Sequence, residues 1–279
     1  MDIHLLPSQI RRDIVRMVHH AQSGHPGGSL GTVEFFTALF FKILDIDPSH
    51  FDSENASGED LFILSNGHIT PVYYATLARR GYFPVKELKS FRQLGSQLQG
   101  HPSVHDRLPG VRIASGSLGQ GLSVAIGAAR GKKLNNDPHL VYSLHGDGEF
   151  QEGQIWEAVL YAGAKGIDNI ISTIDYNNAQ IDGPVDKVLS LGDLKTKMKA
   201  FGWDTVDIKQ GNNLDAVIEG MTEARNRTGN GKPVAVLLHT KMGYGVDFME
   251  DDYRWHGKPL NDEQLEKALK QLPETLGDF

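Results

Sequence analysis

The residues with the most chemical content are an acidic and an amide pair set among glycines. An apolar run, LVYSL at 140–144, leads into His145-Gly146-Asp147-Gly148-Glu149. After a further helical stretch and a second apolar run comes Asp175-Tyr176-Asn177-Asn178, with 28 residues between the G-D-G and N-N motifs. In a strand-helix-strand unit this spacing puts Asp147 and Asn177 at the carboxyl ends of neighbouring parallel strands, where their oxygens can converge on one hard cation. The flanking glycines let a ligand approach the backbone closely. A diphosphate bound there would add further oxygens and complete a near-octahedral Mg²⁺ shell, with helix N-terminal amides assisting. Taken alone, a G-D-G is most simply a tight turn and an N-N a loop cap. The strand context of both favours the metal and phosphate reading.

Histidine is the second resource, with 12 in the chain. His25, His68, His101 and His256 each stand beside Gly or Pro, in loops rather than on helix faces. Groups that titrate near neutrality in such places suit proton transfer. His19, His20, His50, His105 and His139 match no motif and read as surface or structural residues, while His145 and His239 adjoin motifs and stay open. Other chemistries lack an anchor. The stretch at 116–121 is GSLGQG rather than G-x-G-x-x-G, and GAARGK at 127–132 falls one residue short of a Walker A motif. Neither H-E-x-x-H nor G-x-S-x-G occurs.

These residues need a scaffold. Apolar spacings of three and four predict helices over 8–22, 33–44, 71–80, 86–94, 118–134, 152–164, 193–201, 214–227 and 262–272. Short Ile/Leu/Val runs predict strands over 61–65, 140–144, 170–175, 205–208 and 234–239. Several runs do not alternate, as expected for strands covered on both faces. The expectation is one α/β domain over 1–279, a three-layer, doubly wound, mostly parallel sheet with ligands outside the carboxyl ends of its strands.

Composition narrows the classes. The chain has 279 residues, enough for a sizeable core, and 28 basic against 35 acidic side chains, a net charge of −7. That surface disfavours nucleic acid. Cysteine is absent, so disulfides, thiol nucleophiles and thiolate metal sites are excluded, and a cytoplasmic location is the simplest expectation. The first ten residues lack Lys and Arg, so no secretory leader is expected, and the apolar stretch at 33–44 is too short for a membrane span. Glycine, at 31 residues, is in excess and collects in the motif loops.

Strand, G-D-G, helix, strand, N-N resembles the thiamine diphosphate-binding signature. The remaining motifs narrow the resemblance to the transketolase family, in its amino-terminal diphosphate-binding domain. They are SGHPGGSLG at 23–31, SNGH at 65–68, GHP at 100–102, GSLGQGLS at 116–123, GDGEFQEG at 146–153, DYNNAQIDG at 175–183 and WHG at 255–257. The resemblance implies thiamine diphosphate and Mg²⁺, with Ca²⁺ or Mn²⁺ as substitutes. It implies metal ligation by Asp147, Asn177 and the carbonyl of Ala179. Cofactor contacts would come from His68, Gly116, Leu118, Gly146, Asp147, Gly148, Glu149 and Asn177. His25, His101 and His256 would face the substrate. Glu152 would be an interface glutamate coupling two active sites, with Glu157 one helical turn further on.

Full-length members continue into a pyrimidine-binding domain, which carries the glutamate that activates the cofactor, and a carboxyl-terminal domain. This sequence stops at Phe279. The resemblance therefore implies one subunit of a split transketolase. It would transfer a two-carbon ketol unit from a ketose phosphate to an aldose or aldose phosphate, and be inactive until joined by a separately encoded partner, as an α2β2 assembly. The loop after His101, Pro102-Ser103-Val104-His105-Asp106-Arg107, departs from relatives, as does Arg112. This leaves the sugar specificity open. Other thiamine enzymes, of the 2-oxo-acid dehydrogenase α-type or deoxyxylulose-phosphate synthase type, fit SGHPGGSLG, SNGH and WHG less well. A non-catalytic cofactor-binding remnant fits the intact Asp147, Asn177 and motif histidines less well.

Overall fold

The computed structural model describes residues 2–279. Its frame is set by the apolar runs. Leu61–Leu64 (β1), Val141–Gly146 (β2), Ile170–Asp175 (β3), Asp204–Ile208 (β6) and Val234–Leu238 (β7) form one five-stranded sheet in the order β1-β2-β3-β7-β6, with every pairing parallel. IISTID of β3 and VAVLL of β7 are buried along their whole lengths. This explains their lack of alternation: each face of the strand meets a helical layer. Ala179–Gln180 (β4) and Gly183–Pro184 (β5) make a small antiparallel hairpin beyond the end of β3.

The helices are Leu6–Ala21 (α1), Pro26–Gly31 (α2), Val33–Ala38 (α3), Thr70–Arg80 (α4), Gly121–Leu134 (α5), Gly153–Ala164 (α6), Val185–Val188 (α7), Leu194–Ala200 (α8), Leu214–Asn226 (α9) and Asp262–Gln271 (α10). One core gathers α1, α3, α4 and α9 on one side of the sheet through residues such as Ile14, Phe36, Tyr74 and Met221. A second core gathers α5, α6 and α8 on the other side through Ile126, Val159 and Met198. The result is the three-layer α/β arrangement expected. Local chemistry marks the helix ends. Asn213 caps α9 by accepting from Ala216 N at 3.0 Å, and Asn261 and Gln264 form a capping box on α10. Among the described residues no helix is long and apolar enough to cross a membrane.

Strand and most helix positions agree with expectation to within three residues, and three differences are informative. The stretch 86–94 is not a helix of that length. A 3-10 segment, Val85–Ser90, ends early because Arg92 takes a left-handed conformation at φ +56°. The stretch 33–44 begins as α3 but loosens into a π-helical turn over Leu39–Ile43. The glycine-rich α2 is an addition, since PGGSLG has low intrinsic helix propensity. It forms because the small residues let it pack against the 241–243 backbone, with Gly243 N donating to Gly27 O at 2.9 Å.

Candidate functional site

The register of β2 and β3 pairs Gly146 with Asp175. The residues that follow leave the sheet side by side. Asp147 N donates to Asp175 O at 3.1 Å. The Asp147 carboxylate then accepts from Gly148 N at 2.8 Å and from Asn178 N at 2.6 Å, so the two motif loops are in direct contact. Asn177 donates from Nδ2 to Asp175 at 2.7 Å, and its Oδ1 accepts from Ala179 N at 2.8 Å. Asp175 also accepts from the Thr240 hydroxyl.

The electrostatics of this corner are unusual. Asp147 and Asp175 are each 2% exposed. Burial first, and the facing Asp175 second, push the Asp147 carboxyl up to about 8; burial pushes Asp175 up to about 7. Among the described residues no Lys or Arg pairs with these two buried carboxyls, so a cation placed between them would favour their ionised forms. Among the described residues no three His, Cys, Asp or Glu side chains gather as they would around a metal ion.

A cleft of about 260 Å³ opens over this corner. Its wall includes Gly146, Asp147, Gly148, Asn177 and Ala179 from the two loops, and Gly116, Leu118 and Glu152 from across the sheet end. The opposite wall is imidazole. His25 precedes α2, His68 lies in the 3-10 turn Gly67–Ile69, and His256 follows the turn Tyr253–Trp255. Their ring centroids lie 5.0 Å (His25 to His68), 4.9 Å (His68 to His256) and 5.5 Å (His25 to His256) apart. Burial is the main cause that lowers all three. His25 falls to about 4, with His256, Arg92 and His101 adding to the effect. His68 falls well below the usual histidine range, and His256 is lowered despite the opposing charge of Asp182. Crowded, partly desolvated imidazoles stay neutral and retain a lone pair for a proton or a hydrogen bond. The Nδ1 atoms of His25 and His256 are buried without a protein partner.

The structure thus brings all the site residues expected from sequence to one cleft except His101. That ring stands at the rim against Gly116, where a Cβ would lie 2.5 Å from His101 Cδ2, so only glycine fits beneath it. Glu149 borders the cleft, but its carboxylate is spent inward. It accepts from the Ser65 hydroxyl, from Gly119 N at 2.9 Å and from Gly146 N at 3.3 Å. Ser65 Oγ in turn accepts from Gly121 N at 3.1 Å. This buried clip ties the end of β1, the start of β2's loop and the GSLGQG turn together. Glu152 is exposed just before α6.

Of the open histidines, His145 is fully buried behind the cleft with Nε2 2.9 Å from Ser143 Oγ, and His239 pairs with Asp207 at 2.7 Å. His19, His50 and His139 pair with Asp262, Asp47 and Asp137, away from the cleft. Sequence reading did not single out Asn66, Asp175 or Met242, all of which line the cleft. Asn66 and Asp175 sit inside the SNGH and DYNN motifs, which was the available signal; Asn66 Oδ1 is buried without a partner.

This α/β fold is shared with transketolase from Leishmania mexicana, at a TM-score of 0.90 and 27% identity over 99% of this chain and 42% of that one. Residues 4–275 match the family described as transketolase, thiamine diphosphate binding domain. The chain belongs to the transketolase family and corresponds to that domain. It is 36% identical to the 6-deoxy-6-sulfo-D-fructose transketolase subunit SqwG of Clostridium sp. (strain MSTE9), over 98% of this chain and 96% of the relative. It is 33% identical to an apulose-4-phosphate transketolase subunit of Phocaeicola vulgatus, over 98% and 95% respectively. Against mouse transketolase the identity is 32%, over 95% of this chain but 41% of the relative.

Proposed function

We propose that this chain is the diphosphate-binding half of a two-chain transketolase, which works with a pyrimidine-binding partner in an α2β2 assembly. The observation that carries the reading is the direct contact of the G-D-G and N-N loops beneath a wall of neutral imidazoles. Relatives named as subunits, and matched over nearly their whole lengths, support the division into two chains. The residues present fit the cofactor. Asp147, the Asn177 amide oxygen and the Ala179 carbonyl would hold Mg²⁺, hard oxygen donors for a hard ion whose remaining positions suit diphosphate oxygens. Asp147 is buried beside Asp175, which disfavours its ionised form, and a bound cation would offset that penalty and favour the carboxylate.

Thiamine diphosphate, when bound, supplies the electron sink for C–C cleavage. This chain's part is positioning and proton handling. His68 and Gly148 would contact the diphosphate, and Gly116 and Leu118 would flank the ring that carries the reacting carbon. His25, His101 and His256 would face the sugar, where neutral imidazoles accept a hydroxyl proton or donate to a carbonyl oxygen. Glu152, exposed before α6, would lie at the interface between protomers. The substrates would be a ketose and an aldose carrying a terminal anionic group. The two subunit relatives are named for a sulfonated and a phosphorylated sugar.

The test is ketol transfer with thiamine diphosphate and Mg²⁺, assayed for the chain alone and after co-purification with a partner carrying the pyrimidine-binding half. Activity is expected only in the mixture, and full activity from the chain alone would overturn the two-chain reading. In the same complex Asp147→Ala should abolish Mg²⁺-dependent cofactor binding by titration calorimetry. Unchanged affinity would remove Asp147 from the metal site.

A further inference from the structure

The turn that replaces the end of the expected 86–94 helix brings in a charge that the proposed chemistry leaves unused. Arg92 holds its left-handed conformation by donating its N–H to Leu98 O at 2.9 Å, which sends the side chain inward. Nη1 donates to Ser23 Oγ at 2.7 Å and Nη2 to Gly100 O at 3.3 Å, while Nε is buried without a partner. Ser23 stands two residues before His25, and Gly100 directly precedes His101. One rigid planar group therefore bridges the two segments that deliver those histidines. The guanidinium packs against Gly100 so closely that a Cβ there would lie 2.9 Å from Arg92 Cζ. Among the described residues no carboxylate pairs with it: burial lowers the guanidinium from its ordinary range, and Tyr74 acts the other way.

We propose that Arg92 is a positioning residue, setting the spacing of His25 against His101 and placing an uncompensated positive charge behind both rings. Its purpose rests on the transketolase reading; its geometry does not. The groups facing His25 are His68 from the turn before α4, His256 from the loop after Trp255, and His101 and Arg92 from the 92–101 loop. All three facing groups that register on His25 besides burial, His256, Arg92 and His101, act against its protonation. His101 is lowered by burial first and by Arg92 second. The one carboxylate in the group, Asp182, acts on His256. Arg92 thus adds to burial in keeping both rings as bases, as a fixed charge does to neighbouring titrations.

The experiment is an NMR titration of ¹³C-labelled histidines in the full chain, with kcat and KM of ketol transfer measured in the partner complex. Arg92→Gln should raise the midpoints of His25 and His101 by about half a pH unit or more. Arg92→Lys keeps the charge but cannot make the bridge. Its midpoints should stay near wild type while kcat falls about tenfold with little change in KM. Should Arg92→Gln fail to fold, Ser23→Ala removes one arm of the bridge without touching the charge, and the same fall in kcat with unmoved midpoints is expected. Wild-type midpoints in Arg92→Gln, or wild-type kcat in Arg92→Lys or Ser23→Ala, would overturn the proposal. The titration needs no turnover, so absence of ketol transfer with any partner would count against the transketolase reading and leave the midpoints to judge Arg92.

Discussion

Gly121→Ala should loosen the cleft from behind. Gly121 opens α5 where it passes the end of β1, and a Cβ there would overlap the Ser65 side chain and lie 2.8 Å from Ser65 Cα. Because one of the clashing atoms is backbone, a rotamer change cannot relieve it. The start of α5 must move away from β1. Ser65 Oγ would then lose Gly121 N, and Glu149, buried between Ser65 and Gly119 N, would lose part of its hydrogen bonding. Overpacking costs about 1–3 kcal/mol, and a weakened buried polar group about 1–3 kcal/mol more. The better helix propensity of alanine offsets about 1 kcal/mol. The net loss is about 1–5 kcal/mol, a fall in Tm of about 2–10 °C at about 2 °C per kcal/mol for a chain of this size. Gly127→Ala is the control. It lies in the same helix, with nothing within 4 Å of its added Cβ, and should be neutral or slightly stabilising. Calorimetric melting of both variants checks the reasoning, which is refuted if Gly121→Ala melts within about 1 °C of wild type or Gly127→Ala falls as far.

Two further outcomes follow from the charged contacts. Asp13 is buried on α1, and Arg79 of α4 donates to both its oxygens at 2.8 Å. Arg79→Met should cost about 3–5 kcal/mol in urea unfolding by stranding the carboxylate, and Arg79→Met with Asp13→Leu should recover part of it; a double variant no better than the single would contradict this. Asp278 is held down to about 2, first by its hydrogen bond to Arg12 and then by Gln9 and the charges of Arg16 and Arg12. A depressed carboxyl stabilises the fold above its unfolded value near 4, and that contribution vanishes as pH falls toward 2. Asp278→Asn should therefore be about 1 kcal/mol less stable than wild type at pH 5, after allowance for solvent screening, and equal to it near pH 2. A gap that is the same at both ends would exclude this origin.

The parts of the fold that were readable were those whose cause is local. The short apolar stretches of β3 and β7 read as covered strands because they do not alternate, and G-D-G and N-N point to one corner because a single helix separates them. What escaped depended on distant partners. PGGSLG becomes helix only because the 241–243 backbone needs small neighbours, and 86–94 stops short because Arg92 is drawn toward Ser23 and Gly100. Glu149 reads like a ligand-facing acid in its motif, yet its bonds to Ser65 and Gly119 turn it inward. Such contacts join motifs that are far apart in sequence, and periodicity carries no record of them.

The cleft also has two histories in the growing chain. The contact between Asp147 and Asn178 closes a short loop within one strand-helix-strand unit, so its entropic cost is modest and it can form as soon as that unit does. The imidazole wall is different in kind. His25 meets His256 from near opposite ends of the polypeptide, so this contact closes a far longer loop at a higher entropic cost. The acidic corner thus rests on a contact within one supersecondary unit and the imidazole wall on contacts between distant parts of the chain, so the distance from His25 to His256 is the more sensitive gauge of long-range order.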